Sequence, residues 1–198
     1  DTLLTCENKV DEDVVTLTNK GSEAITINKP TIVAPYEIID GTFPITLNKL
    51  DDKLAIKIRF NNSMPAADYK QDLRIPYTVN GVNYEVLVVL SGVIAEPKLS
   101  FEYPKVADAT IIPIASFTDA ITSLQYDIKV TNSGNKEITI AKPADYQGIT
   151  FDYVPATIAA GASDVITVTV NHSGVTPTEY PFTLNTNPCN SLYNIKLV

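Results

Sequence analysis

Residues 18–30 recur at an offset of 113 positions as residues 131–143, with eight of the 13 positions identical. Thr18-Asn19, Gly21, Ile25-Thr26-Ile27 and Lys29-Pro30 answer to Thr131-Asn132, Gly134, Ile138-Thr139-Ile140 and Lys142-Pro143. Unrelated segments of average composition share roughly one position in such a window. The match continues: Pro44, Thr46 and Leu47 answer to Pro155, Thr157 and Ile158, Tyr69 and Leu73 to Tyr180 and Leu184, and Tyr84 to Tyr193. A period of about 110 residues is the length of a domain and too long for a solenoid unit, so the chain reads as one fold written twice. The boundary falls in residues 91–97, where Pro97 interrupts ladder pairing ahead of Leu99. The predicted domains are residues 1–95 and 96–198.

Each copy reads as strands. Leu54, Ile56, Ile58 and Phe60 alternate with Ala55, Lys57 and Arg59, and Ile166, Val168 and Val170 alternate with Thr167 and Thr169, the period of a half-buried strand. Leu73, Ile75, Tyr77 and Val79 form another inward row, followed by Asn80-Gly81 and then by Tyr84, Val86, Val88 and Leu90. Asn-Gly between two alternating runs predicts a hairpin with a type I′ turn. No window has the i, i+3, i+4, i+7 spacing of an amphipathic helix. The predicted fold class is all-β, two tandem immunoglobulin-like β-sandwich domains of about seven strands each. Leu87 and Val89 point opposite to Val86 and Val88, so that strand is apolar on both faces. The expectation is that another part of the chain covers its outer face, the alternative being a patch for a partner.

Composition removes several functions. The net charge of −8 is shared by both copies, with nine basic against 14 acidic residues in 1–96 and six against nine beyond. Nucleic acid, which calls for clustered Lys and Arg, is not an expected partner. No apolar run approaches the roughly 20 residues of a transmembrane helix. Asp1 is preceded by no basic and apolar leader, as it also would be if an export signal had been removed. A lipid anchor outside these residues fits as well, whereas Leu3-Leu4-Thr5-Cys6 is a poor lipidation site. Cys6 and Cys189, 183 positions apart, form no disulfide framework and are expected to be free thiols, Cys6 half-buried in a strand.

The residues 15–27, a strand, an Asn-Lys-Gly turn and a strand, resemble the opening of the Hydin-type domains, immunoglobulin-like sandwiches related to the major sperm protein fold. Residues 128–140 resemble it again. Ala159-Ala160-Gly161-Ala162-Ser163 before a long strand, Tyr69 and Tyr180 ahead of the next, and Leu90-Ser91-Gly92 closing copy one look like later landmarks of that family. Leu50-Asp51-Asp52 departs from its usual glycine turn, and Asp68 and Glu179 stand where glycine precedes the tyrosine. The resemblance implies scaffolding, spacer or partner-binding modules, in bacteria commonly in exported or surface proteins, and carries no catalytic residue.

Nothing in the chain assembles a reaction centre by sequence. The one histidine, His172, is expected in a solvent-exposed turn, which leaves any serine or cysteine nucleophile without an imidazole base. Asp11-Glu12-Asp13 and Asp51-Asp52 are adjacent carboxylates, which diverge on a strand or turn, and they lack the spacing and glycine of a calcium loop. No cofactor or metal is expected. Tyr69 and Tyr180 are placed as corner tyrosines whose hydroxyls bond backbone, and Tyr36, Tyr103 and Tyr146 are candidates for exposure. The chain therefore reads as a non-catalytic, extracytoplasmic structural or adhesive module, periplasmic or at a bacterial surface, that displays or recognises a macromolecular partner. The alternative is an accessory carbohydrate-binding domain of a polysaccharide-handling surface system, with a protein or a cell-surface glycan as partner in either case. The contact loops are expected at the free pole of copy one: Asn19, Lys20, Gly21, Ser22 and Glu23 with Asn80 and Gly81, the matching turn of copy two facing the linker.

Overall fold

The computed structural model describes residues 1–103, 106–107, 111–112, 122–146, 148–171 and 180–197. The chain divides into two compact units, Asp1–Ala95 and Glu96–Val198. Among the described residues there is no helix.

Unit one has eight strands: β1 (Thr2–Leu4), β2 (Val10–Thr18), β3 (Ile25–Ile27), β4 (Tyr36–Ile38), β5 (Ile45–Leu47), β6 (Lys53–Asn61), β7 (Ala67–Val79) and β8 (Val82–Ala95). They form two sheets, ordered β1-β8-β7-β3-β5 and β2-β6-β4. Alternation decides which side chains meet between the sheets. Ile56, Ile58 and Phe60 of β6 meet Leu73 and Ile75 of β7, Ile27, Leu47 and Ile94, all buried. Asn80 and Gly81 have φ of 47° and 78°, the positive pair of a type I′ turn, and Val79 faces Val82 across it. The Tyr69 hydroxyl donates to the Pro65 carbonyl at 2.7 Å, as expected of a corner tyrosine; the side chain of Tyr180 lies outside the described residues.

Unit two repeats the plan with β9 (Leu99–Tyr103), β10 (Val106–Ala107), β11 (Ile111–Ile112), β12 (Ser123–Asn132), β13 (Ile138–Ile140), β14 (Ile149–Asp152), β15 (Thr157–Ile158), β16 (Ser163–Asn171), β17 (Tyr180–Asn187) and β18 (Leu192–Leu197). Its sheets are ordered β11-β18-β17-β13-β15 and β10-β9-β12-β16-β14. The first matches its unit-one counterpart strand for strand, and β12-β16-β14 matches β2-β6-β4. Matching residues also make matching contacts: Thr26 and Thr46 share a hydroxyl hydrogen bond, and so do Thr139 and Thr157. The difference lies at one edge. β9 pairs antiparallel with β12, with Thr131 opposite Ser100 and Val130 opposite Phe101, and β10 extends it. β2 is the outermost strand of its sheet. Among the described residues the units thus have eight and ten strands where about seven were expected, because short edge pieces such as β1 and β10 carry no alternation that a sequence pattern can register.

Four side-chain expectations are corrected. Tyr84 and Val86 are exposed although they begin an inward row, because β1 covers β8 only at Val93–Ala95 and leaves its other end at the rim of the sandwich. Leu87 and Val89 are exposed too, so among the described residues nothing covers the outer face. Tyr36 is buried: its ring packs on Phe60 at 5.0 Å and its hydroxyl donates to the Tyr69 carbonyl. Tyr146 is exposed, as expected. Finally, Cys6 and Cys189 are both disulfide-bonded, not free thiols. Cys6 sits in the turn after β1, not in a strand, and Cys189 in the turn after β17 with a φ of 85°. Separation along the sequence, the ground for expecting thiols, says nothing about where side chains on turns reach.

Candidate functional site: the open seam of unit one

The turn after β2 is built on the Asn19 side chain. Its amide donates to the Glu23 and Leu47 carbonyls at 2.8 and 3.2 Å, and its carbonyl oxygen accepts the Gly21 N–H at 2.9 Å. Asn132 makes the same three bonds to Lys136, Ile158 and Gly134. Both residues are almost completely buried, which is tolerable for an amide only because its hydrogen bonds are made internally. Asn19 therefore holds the loop together and is withdrawn from the contact residues: a side chain bonded inward on three sides presents nothing to a partner.

The other residues of the turn, Lys20, Gly21, Ser22 and Glu23, are exposed, as are Asn80 and Gly81. Lys20 pairs with Asp51 at 2.6 Å, both side chains largely in solvent. Between this turn and β7 and β8 lies a cavity of about 440 Å³, whose wall includes Leu17, Gly21, Ile25, Tyr77, Val79 and Val86. Val79 brings the hairpin to its wall, while Asn80 and Gly81 stand outside the lining. A second hollow of about 250 Å³ lies between β2 and β8, from Asp11, Asp13 and Val15 on β2 to Val88 and Leu90 on β8. The two hollows follow the seam between β2, outermost in its sheet, and the stretch of β8 before Val93, with which β1 does not pair.

The acidic residues nearby have structural roles. Arg59 is held by Glu12 at 2.7 Å and by Glu37 at 3.4 Å, and the hydrogen bond it donates to Glu12 above all raises its pKa further. Asp52 accepts the N–H groups of Asn48 and Lys49. Among the described residues no three His, Cys, Asp or Glu side chains come together as a metal site would need. His172 lies outside the described residues.

Sequence reasoning placed the turn and the hairpin tip but missed the cavity. Val15, Leu17 and Ile25 are only half-buried, whereas their counterparts Ile128, Val130 and Ile138 are fully buried. The apolar pattern is the same in both copies, so the difference shows only in the pairing, with β9 beside β12 and no strand among the described residues beside the outer edge of β2.

No family model matches the chain, and no curated relative matches it. Among solved structures, a protein of unknown function from Porphyromonas gingivalis W83 superposes with a TM-score of 0.40 and 14% identity, over 94% of this chain and 90% of that one. The Pseudomonas aeruginosa CupB2 chaperone superposes with a TM-score of 0.34 and 9% identity, over 98% and 94%. Likenesses this loose bear no weight for function. What the fold itself defines is an all-β chain of two like sandwich units, with no helix among the described residues long and apolar enough to cross a membrane.

Proposed function

We propose that the protein is a non-catalytic, extracytoplasmic module that recognises a macromolecular partner through the open pole of unit one. One observation supports this more than any other. The Asn132 turn of unit two is occupied, its Ser133 and Asn135 N–H groups donating to the carbonyls of Lys98 and Glu96, whereas the matching Asn19 turn borders an apolar cavity. The bonded cysteines favour an oxidising compartment, where disulfides persist. The Hydin-type resemblance fits such a role without identifying the partner. The carbohydrate-binding alternative draws on Tyr84, which is exposed, but one face of its ring stacks on Tyr77 at 5.3 Å.

The test is capture from an envelope fraction by the immobilised chain, alongside a variant carrying Lys20→Ala, Ser22→Ala, Glu23→Ala and Asn80→Ala. Specific capture of a protein that the variant loses is expected. Equal capture by both moves recognition away from this pole, and binding on a glycan array favours the alternative.

A further inference from the structure

Asn80-Gly81 is the one Asn-Gly pair in the chain, and it stands at the tip of the β7–β8 hairpin with both residues exposed. The amides of Asn19, Asn62 and Asn132 donate to backbone carbonyls. Among the described residues the Asn80 amide has no hydrogen-bond partner. A Cβ on Gly81 would meet nothing within 4 Å, so nothing crowds that residue. An asparagine followed by glycine is also the pair in which a backbone nitrogen most readily attacks a side-chain amide, because the second residue has no side chain to stand in the way.

The turn itself opposes that attack. With φ of 47° and 78°, Asn80 and Gly81 form a type I′ turn. Type I′ is the mirror image of type I, so the ψ of Asn80 is about +30°. The Gly81 nitrogen then lies nearly opposite Cβ about the Cα–C bond and points away from the amide carbon. A five-membered ring needs the two eclipsed, at a ψ of about −120°, which is the ψ of a type II′ turn, where the first central position calls for glycine. Asparagine holds that position here, so the reactive conformation is a strained minor state of the tip.

We infer that Asn80 is a site of spontaneous deamidation, held off by the type I′ turn and released when the Asn80–Gly81 peptide rotates out of it. The Gly81 nitrogen loses its proton and bonds to the Asn80 amide carbon, and the amide nitrogen leaves as ammonia. Water then opens the ring. Cleavage at one carbonyl gives aspartate, and cleavage at the other gives isoaspartate, whose backbone runs through the former side chain. Both products add a negative charge at the tip. Isoaspartate also lengthens the two-residue loop by one carbon, so Val79 and Val82 no longer close the hairpin as a pair.

Deamidation at Asn80 is followed by mass spectrometry of digests in three samples held at one mildly alkaline pH. These are the folded chain, the chain in denaturant, and a synthetic peptide with the sequence of residues 77–84. The denatured chain and the peptide are expected to react at the same rate. The folded chain is expected to be slower by about tenfold or more, since a minor state populated at a tenth or less governs its rate. Val82→Pro removes the N–H beside the turn and disfavours the turn conformation at Gly81 without touching the reacting atoms. It is expected to bring the folded chain toward the peptide rate while the melting transition is retained. A folded chain as fast as the peptide overturns the inference, as does a denatured chain that does not react. A Val82→Pro chain that is folded and still slow overturns the gating role of the turn. If that variant does not fold, the comparison of folded with denatured chain decides alone.

Discussion

Gly21 and Gly134 occupy one position of the repeat and have opposite surroundings. Gly134→Ala forces a Cβ into the backbone at Glu96 and is expected to cost about 3 kcal/mol or more, as overpacking against immovable backbone does. Gly21→Ala is expected to be neutral or stabilising by up to about 1 kcal/mol, through the unfolded chain alone. Denaturant midpoints of the two variants check this, and equal losses would contradict it. Tyr153 offers a second residue-scale test, because its buried hydroxyl has no hydrogen-bond partner. Burial first, and the Asp164 carboxylate after it, push its phenol up to about 12 from the ordinary 10. The unfolded chain therefore releases the proton first, so this contribution to stability is whole below pH 10 and is lost as pH rises through about 12. Tyr153→Phe is expected to raise stability at neutral pH by about 1 kcal/mol, and to flatten the alkaline loss. A variant that is less stable, or that unfolds in alkali like the parent, would contradict the assignment. Neither property was legible in the sequence, because a glycine and a tyrosine look alike whatever stands beside them.

Among the elements, β6, β7 and β16 were legible because their alternation is unbroken and both their edges are paired. The β7–β8 hairpin was legible because Asn80-Gly81 has one comfortable backbone solution. Gly81, at a φ of 78°, is expected to lose about 1 kcal/mol on substitution by alanine, read as a lowered thermal midpoint. No change would mean that the turn is not type I′. β8 shows where pattern reading stops. Tyr84, Val86, Val88 and Leu90 alternate as well as any core strand, yet the row runs from exposed to half-buried, because burial depends on what stands across the seam and not on the strand itself. Asn19 was misread for a related reason. A polar residue in a turn suggests the surface, but its three hydrogen bonds lie inside the loop.

At the scale of the molecule, duplication made the architecture legible, since the repeated Asn-x-Gly turn and its flanking strands recur in the two units with the same hydrogen bonds. The bonded cysteines were not legible, because pairing is decided in three dimensions. The denatured chain, isolated without reductant, is expected to show no reactive thiol and to gain two on reduction, in a colorimetric thiol assay. Thiols before reduction would contradict the bonded state and weaken the extracytoplasmic assignment.

The central claim is that the two units share one blueprint, in which the outer edge of β12 is paired with β9 and, among the described residues, the matching edge of β2 is unpaired. Native-state hydrogen exchange at the matched amides of Thr131 and Thr18 tests it most directly, since the first faces β9 and the second faces an open edge. The account predicts strong protection at Thr131 and fast exchange at Thr18, with the inward amides of Asn132 and Asn19 both protected. Equal protection of Thr18 and Thr131 in the unliganded chain would contradict it.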